Sequence, residues 1–513
     1  MRTKILLAML SLGVLLTGCA TTLPYETNPP SETPGETPDG TLPEPAPPLG
    51  LDQLAAFGGV AMLNAGSNCT GTLIDTGVPA GPAYVLTNGH CVGDVGRSRQ
   101  TTTLDYDWFG EATFFRAAGN KENTYQAKVV QLAYSTMHQT DTAIVRLAPT
   151  LGELQAQGVR AVPIADAEPA GGAPVVNIGV PVQGLDEEDW VLREGECTLG
   201  AQHTLLEFGW LWHGVWSNDC PGIIQGSSGS PLFEADATGP VRIVGMINTT
   251  SKGIAPGQGG DCWINRPCQV TADAVTMVPD TSYAQSVAGI GRCFDPATGE
   301  FATGGDCPLP VSDVWAEESG GWFRGGGEPD GAGRMPQARL VGREAGTVRT
   351  ALVPLGDGAA CQAPATYAAQ PQPLPEAGEH SWDPSVGLTL PVELPAAEGH
   401  FLLCAVRGDN YAGASGVHFA VDRTPPVVPA GADAERLDDA VIVRPHLDPP
   451  ELMSVRFTWG PQGQVDCEDT AAFQEFFIVP LTLLAEDLPA TYCIYGLDAA
   501  GNTTPVERIE IPA

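Results

Sequence analysis

The sequence has few basic side chains for its length. Lysine and arginine together number 25 among 513 residues, against 61 aspartates and glutamates, and the formal net charge is −36. A surface this acidic repels phosphate groups, so the composition argues against nucleic acid and anionic lipid as partners. The charge is compatible with a basic polypeptide partner, but solubility in an extracellular setting explains it equally well.

Apolar runs long enough to span a membrane are also missing. The run from Ile5 to Leu16 is too short to cross a bilayer with ease, and it follows the basic residues Arg2 and Lys4. A positive start followed by a short apolar core is typical of an export signal. We therefore expect residues 1–18 to be a signal peptide.

The signal ends in the tetrapeptide Leu-Thr-Gly-Cys, whose last residue is Cys19. This tetrapeptide resembles the bacterial lipobox, which implies cleavage before Cys19 and acylation of its thiol. An ordinary secretory signal does not need a cysteine at this point. Ala20 follows, which resembles the pattern for outer-membrane sorting in cells with two membranes. We expect an exported protein of the bacterial cell envelope, held at the membrane by this lipid.

The cysteines indicate an exported, cross-linked chain. Of the 13 cysteines, setting Cys19 aside leaves an even number, as a disulfide framework requires. The paired Cys-x-x-Cys or Cys/His spacing of a zinc site is missing, so we expect no metal and no cofactor. Proximity along the chain suggests six pairs, although it does not prove them: Cys69–Cys91, Cys197–Cys220, Cys262–Cys268, Cys293–Cys307, Cys361–Cys404 and Cys467–Cys493.

Residues 19–50 are rich in proline and acidic side chains and poor in apolar ones. Such a segment cannot bury enough apolar surface to fold, so we predict an extended tether. From Leu51 onward, short alternating strands recur with turn signals between them, which predicts an all-β barrel or sandwich. The strand candidates in the first half of the chain are Gly59–Leu63, Gly71–Ile74, Tyr84–Thr87, Ala127–Leu132, Thr142–Leu147, Pro174–Ile178, Ser230–Phe233 and Val241–Ile247.

The strongest sign of chemistry is Ser228, which lies in a glycine-flanked turn. A tight turn of this kind can expose a nucleophile and aim backbone N–H groups at one point, although most such turns are only turns. Upstream, His90 follows an apolar strand and stands beside Cys91, and Asp141 opens another alternating strand. Alone, His90 could be a surface turn residue and Asp141 a strand-start residue. Together they supply the three groups of a serine nucleophile, a base and its orienting acid.

Four segments resemble the landmark motifs of the trypsin/chymotrypsin family of serine proteases, in the family's order. They are Cys69–Ile74, Leu86–Cys91, Asp141–Leu147 and Gly226–Pro231. The resemblance implies a chymotrypsin-like double β-barrel over residues 51–309, with a terminal helix at Asp280–Gly291. It also implies Ser228 as nucleophile, His90 as general base and then acid, and Asp141 as the group that fixes the imidazole tautomer. The backbone N–H groups of Gly226 and Ser228 would form the oxyanion hole.

The chain departs from the family pattern where specificity and activation are decided. Ser227 precedes the nucleophile where animal trypsins carry an aspartate, so activation by a freed N-terminus is not expected. Gly222 stands where trypsins bind basic side chains through an aspartate, and Ile247 stands where glutamyl endopeptidases resemble one another in having a histidine. Neither preference is supported, and Asp219 and Gln225 nearby are explained equally well as loop residues.

After Pro310 the chemical motifs stop, but short strands continue. The segments around Cys404 and Cys493 share an alternating strand pattern, and in each an aspartate lies five residues after the cysteine. This similarity is a weak internal repeat. The stretch from Leu497 to Asn502 resembles a turn of bacterial immunoglobulin-like modules. We predict two β-sandwich domains of this type, at residues 310–423 and 424–513.

The leading hypothesis is a surface-tethered serine endopeptidase that hydrolyses proteins or peptides, with two sandwiches that position it or bind a partner. One alternative is a lipoprotein whose protease fold is vestigial and serves binding or adhesion. A purely structural adhesin is the third. The intact set of His90, Asp141 and Ser228 favours the first.

Overall fold

The structure is a computed structural model. It describes residues 43–92, 102–236, 239–253, 262–318, 320–376, 387–437, 439–448, 451–476 and 479–513. The predicted signal peptide and Cys19 lie outside these residues. Within them, α-helix is limited to Leu54–Phe57 (α1) and Leu151–Ala156 (α2), and no helix is long and apolar enough to cross a membrane. The all-β prediction is confirmed.

Six strands close a first barrel in the order β1-β2-β3-β6-β5-β4. Their bounds are β1 Val60–Asn64, β2 Asn68–Leu73, β3 Pro82–Thr87, β4 Thr102–Phe114, β5 Tyr125–Thr136 and β6 Thr142–Thr150. Alternate side chains of one strand enter two different cores. In β3, Ala83 and Val85 pack inside the barrel, whereas Tyr84 and Leu86 pack in a layer shared with the second barrel. Both faces are buried, which is why the strand is largely apolar.

A second sheet follows in the order β13-β12-β8-β7-β10-β11-β14-β9. Its strands are β7 Pro174–Gly179, β8 Arg193–Glu207, β9 Trp210–Asn218, β10 Pro231–Asp236, β11 Gly239–Thr250, β12 Cys268–Val270, β13 Val275–Met277 and β14 Ser282–Ser286. Because β8 also pairs with β9, six of these strands close into a second barrel. Phe233 and Ile243 of this barrel share a core with Tyr84 and Ile144 of the first. The expected chymotrypsin-like double barrel is confirmed.

The helix predicted at Asp280–Gly291 is wrong. Strand β14 occupies that position, with β9 on one side and β11 on the other. Tyr283 and Ala284 are fully buried there, and both neighbours supply the backbone hydrogen bonds that a helix would have made internally. Only a single short turn of 3₁₀-helix, Ile290–Cys293, follows.

The last part of the predicted tether belongs to the folded chain. Of residues 19–50, those from 43 onward are described, and they lie along the start of β8. The N–H of Leu49 donates to the carbonyl of Leu192 at 2.8 Å, and the N–H of Glu194 donates to the carbonyl of Pro47 at 3.0 Å. Leu49 is 1% exposed and packs in the layer between the barrels. Burial of Leu49 and hydrogen bonds to residues 192–194 together hold this stretch in place despite its proline-rich composition.

Two sheets then pack around a separate core, which we call the first sandwich. One sheet has the order β15-β17-β20 and the other β16-β22-β21-β18-β19. The bounds are β15 Val314–Glu318, β16 Gly321–Phe323, β17 Gln337–Gly342, β18 Gly346–Pro354, β19 Gln372–Leu374, β20 Leu388–Pro391, β21 Gly399–Arg407 and β22 Ser415–Val421. Leu340 from one sheet and Phe419 from the other meet in this core. A β-sandwich, which is a pair of sheets packed face to face, was predicted for residues 310–423.

A further pair of sheets forms the second sandwich, with orders β23-β24-β27 and β26-β25-β28-β29. The strands are β23 Ala432–Arg436, β24 Ala440–Pro445, β25 Ser454–Pro461, β26 Gln474–Glu475, β27 Leu481–Leu484, β28 Ala490–Leu497 and β29 Glu507–Ile511. Val443 and Tyr492 pack between its sheets. The boundaries predicted for the two sandwiches and their immunoglobulin-like character stay predictions.

Candidate active site

His90 lies in a short 3₁₀ turn, Gly89–Cys91, directly after strand β3. Gly89 allows this turn to lie close to Thr136 and Asp141. A Cβ at this position would lie 2.2 Å from the carbonyl oxygen of Thr136 and 3.2 Å from Oδ1 of Asp141. Asn88 adds a hydrogen bond between the same segments, since its Nδ2 donates to the carbonyl of Asp141 at 2.9 Å. The turn after β3 is thus fixed against the segment between β5 and β6.

Asp141 is completely buried and faces His90 with both carboxylate oxygens. Its Oδ2 lies 2.8 Å from Nδ1 of His90, and its Oδ1 accepts the backbone N–H of His90 at 3.1 Å. An ionised carboxylate can only accept hydrogen bonds, so Nδ1 carries the ring proton and Nε2 is the basic nitrogen of the ring. The structure therefore brings together the predicted base and the predicted orienting acid.

Ser228 lies in a turn that bonds to strand β2. Its carbonyl accepts the N–H of Thr70 at 2.8 Å, and the Thr70 hydroxyl donates to the carbonyl of Gly226 at 2.9 Å. Gly229 has φ +81° and a Cβ there would lie 2.0 Å from the carbonyl oxygen of Thr70, so only glycine fits. Thr70 follows Cys69, which is bonded to Cys91 beside His90. The predicted nucleophile and base thus converge on two adjacent residues of β2.

The N–H groups predicted for the oxyanion hole are available. Ser227 donates to the carbonyl of Ile224 at 3.0 Å and Gly229 to that of Ile247 at 2.9 Å. The N–H groups of Gly226 and Ser228, which alternate with these, have no hydrogen-bond acceptor in the described part of the protein. An anionic oxygen placed at this turn would find two unused donors.

Three potential metal ligands, Cys69, His90 and Cys91, lie within 4.8 Å of one another. The two sulfur atoms form a disulfide with an S–S distance of 2.04 Å. A metal would need thiolates, which disulfide sulfurs cannot supply. The cluster is therefore explained by the bridge beside the histidine.

All six disulfides join the pairs suggested by proximity along the chain: Cys69–Cys91, Cys197–Cys220, Cys262–Cys268, Cys293–Cys307, Cys361–Cys404 and Cys467–Cys493. Four belong to the double barrel, and one lies in each sandwich. Neighbouring antiparallel strands bring together in space residues that are close along the chain. Proximity along the chain was therefore a useful guide to the disulfide pairs.

We expect loss of the bridge beside His90 to impair activity before it unfolds the protein. Replacing both Cys69 and Cys91 by alanine frees the turn that carries His90, and catalysis is sensitive to displacements on the order of 1 Å. The double variant is expected to lose hydrolysis at temperatures where circular dichroism still reports β-structure. Replacing Cys467 and Cys493 in the second sandwich is the control, since that bridge is remote from the site. Equal activity loss in both double variants would contradict the prediction.

Glu207, at the end of β8, was not singled out from the sequence, yet it is a buried acid close to the candidate site. It is 4% exposed. Its Oε2 accepts the Thr249 hydroxyl at 2.6 Å and its Oε1 accepts the N–H of Asn265 at 3.0 Å. Burial raises the pKa of Glu207 to about 7, while these hydrogen bonds and the charge of His90 lower it and the charge of Asp141 raises it. A glutamate ending an alternating strand gives no sequence signal of such burial.

Glu207 is expected to make the protein less stable as the pH rises. Its pKa is about 7 in the fold against 4.5 for an ordinary glutamate, so between these values the folded chain holds a proton that the unfolded chain releases. Titration of Glu207 should contribute a fall of about 3 kcal/mol in the free energy of unfolding from pH 4.5 to above pH 7. Glu207→Gln should remove this contribution, so the fall measured by urea unfolding at both pH values should be smaller in the variant than in wild type. The same fall in wild type and variant would contradict it.

The residues considered for specificity have structural tasks. Gly222 has φ +65°, and a Cβ there would lie 2.2 Å from the backbone nitrogen of Ala46, so no side chain fits. Asp219 uses its Oδ1 to accept the N–H of Thr198 at 2.6 Å. Ile247 is buried, and its backbone bonds to the turn that carries the serine. Gly222 and Ile247 therefore offer no charged group for selecting a substrate side chain, and the Asp219 carboxylate binds the backbone of Thr198.

Comparison with known proteins finds a similar family for one segment of the chain. Residues 69–246 match the family model of the trypsin-like peptidase domain. A thermostable serine protease, AL20, from an extremophilic microorganism is 16% identical, with a TM-score of 0.31, over 46% of this chain and 94% of its own. An inactive form of Rv3671c from M. tuberculosis H37Rv is also 16% identical, with a TM-score of 0.26, over 48% and 92%. Comparison with curated proteins gave no match. Residues 69–246 are thus similar to the trypsin-like peptidase domain, and the closed double barrel has the chymotrypsin-like fold.

Proposed function

We propose that the protein is a serine endopeptidase that uses Ser228, His90 and Asp141. The observation that carries the proposal is the buried carboxylate of Asp141, which lies 2.8 Å from Nδ1 of His90 and so assigns the role of the base to the other ring nitrogen, Nε2. The Ser228 turn, which bonds to Thr70 beside the Cys69–Cys91 bridge, supports it. Proteins or peptides are the substrates that a trypsin-like domain implies.

In the proposed reaction, Oγ of Ser228 attacks the carbonyl carbon of the scissile peptide bond while Nε2 of His90 takes the hydroxyl proton. The N–H groups of Gly226 and Ser228 stabilise the oxyanion of the tetrahedral intermediate. The C–N bond then breaks, His90 gives its proton to the departing amine, and an acyl-enzyme remains on Ser228. Water, deprotonated by His90, repeats these steps and releases the acid. Asp141 accepts the hydrogen bond from Nδ1 throughout and stabilises the imidazolium.

Labelling with a fluorophosphonate probe tests this proposal. The probe forms a covalent bond only with an activated serine, and heat-denatured protein is the control for non-specific labelling. We expect one probe per chain, on the peptide that contains Ser228. Labelling of a different serine would place the nucleophile elsewhere. An unlabelled native protein that still bound peptides would support the alternative of a vestigial protease fold used for binding or adhesion.

We also propose that acylated Cys19 holds the protein at the cell surface, because the first residues resemble a lipoprotein signal. The lipid would be the membrane contact of the mature chain, so Cys19→Ser should move the protein from the membrane fraction to the soluble fraction or block its processing. Mass spectrometry of the N-terminal peptide checks for the acyl groups. A processed Cys19→Ser chain that remains in the membrane fraction would contradict the anchor.

A further inference from the structure

The segment between β5 and β6, residues 137–141, carries Asp141, and we call it the Asp141 loop. The second barrel holds one side of this loop. The indole Nε1 of Trp212 donates to the carbonyl of Met137 at 3.2 Å, and the N–H of His213 donates to the carbonyl of Gln139 at 2.9 Å. Gln139 has φ +62°, a conformation that a residue other than glycine adopts only when its surroundings hold it there.

The first sandwich holds the other side of the loop. The side-chain Nε2 of Gln139 donates to the carbonyl of Ala414 at 3.2 Å. The ring of His138, which is 2% exposed, interacts with the same carbonyl. One carbonyl of the sandwich therefore acts on two consecutive residues of the Asp141 loop, and the second of them is two positions from Asp141.

The Ala414 carbonyl is itself well fixed. Ala414 is 2% exposed and packs in an apolar cluster that runs without a break from the second barrel into the first sandwich. The cluster contains Leu206, Leu211, Cys262 and Cys268 from the barrel and Leu355, Cys361, Tyr367, Leu402, Cys404 and Val406 from the sandwich. An acceptor embedded in a packed core can define the position of its donor, whereas a solvated one cannot.

Polar contacts fix the same corner against the first barrel. The hydroxyl of Ser415, next to Ala414, lies 2.7 Å from that of Ser312. The N–H of Ser312 donates to the hydroxyl of Thr102 at 3.0 Å, and Arg343 donates to the carbonyl of Thr102 at 2.8 Å. Thr102 begins β4, which pairs with the end of β5 at Thr136, immediately before the Asp141 loop. Both barrels and the sandwich therefore meet at this loop.

We propose that the first sandwich is a positioning element of the proteolytic site: through the Ala414 carbonyl and Gln139 it sets the Asp141 loop in place. The inference rests on the proposed function, since it assigns a role in proteolysis. Gln139 is a positioning residue that acts through Asp141 and makes no contact with substrate. The sandwich is then part of the enzyme and more than an appended binding module.

Two substitutions in the full-length chain test the role of Gln139. Gln139→Glu keeps the shape but cannot donate to the Ala414 carbonyl. Gln139→Asn keeps the neutral amide and tolerates the positive φ, but its side chain is too short to reach the Ala414 carbonyl. The control is Gln362→Glu, because Gln362 and Gln139 line one cavity from opposite sides, and Gln362 belongs to the first sandwich and not to the Asp141 loop. It introduces the same charge without touching the loop.

We expect kcat for a peptide that wild type cleaves to fall roughly ten- to hundredfold in both Gln139 variants, with KM within about twofold. The control should match wild type, and thermal melts confirm that all chains are folded at the assay temperature. Unchanged kcat in the Gln139 variants, or an equal loss in the control, would overturn the proposal. If wild type neither cleaves peptide nor reacts with the fluorophosphonate, the proposed function has failed; if it does both, only the role of Gln139 is in question.

Discussion

Replacing Ser228 by alanine is expected to lower kcat/KM by roughly 10⁶ and to abolish fluorophosphonate labelling. The variant loses the attacking oxygen, while the backbone donors of the oxyanion hole stay in place. The fold should be intact, because the contact that anchors this turn to Thr70 is made by the Ser228 carbonyl and not by its hydroxyl. Peptide cleavage and probe labelling measure the loss, and circular dichroism checks the fold.

The neighbouring serine provides a matched control. Ser227 is 3% exposed, and its hydroxyl accepts the N–H of Ile224 at 3.3 Å. Ser227→Ala removes the same atom from the same turn at a cost of about 1 kcal/mol in stability and should retain activity within about tenfold. Wild-type activity in Ser228→Ala, or equal losses in the two variants, would show that Ser228 is not the nucleophile.

Asp141→Asn is expected to lower kcat by roughly 10⁴ while leaving the fold almost unchanged. Two donors face this side chain: the backbone N–H of His90 at Oδ1 and the ring Nδ1 at Oδ2. An asparagine oxygen will take the place opposite the backbone N–H, which is always a donor. Its NH₂ group then faces Nδ1, which must become an acceptor. The ring proton moves to Nε2, and His90 can no longer take a proton from Ser228.

Asp219→Asn is the control for the loss of a negative charge. Asp219 accepts the N–H of Thr198, and an asparagine oxygen can do the same, so activity should not change. The kcat of both variants, measured at the same pH, separates loss of orientation from loss of charge. An Asp141→Asn chain with kcat within about tenfold of wild type would contradict the orienting role of Asp141.

Much of the candidate site was predictable because catalytic groups sit in short, characteristic contexts. A histidine after an apolar strand, an aspartate before another and a serine between glycines are local patterns, and their order on the chain is local information too. The structure brings His90 and Asp141 into contact and connects the Ser228 turn to the residue beside the Cys69–Cys91 bridge. Glu207 was missed because burial of an isolated acid depends on distant partners such as Thr249.

Alternation and spacing along the chain indicated many of the strands, suggested the disulfide partners and showed the order of the candidate catalytic groups, because these are properties of neighbouring residues. Which strands pack against each other depends on the tertiary structure. Residues 282–286 form a strand and not a helix because β9 and β11 pair with them on both sides. Leu49 is part of the core because it packs in the layer between the two barrels. The contact between Gln139 and Ala414 joins residues 275 positions apart. No local pattern encodes such a pair, since it forms only where the Asp141 loop and the first sandwich pack together.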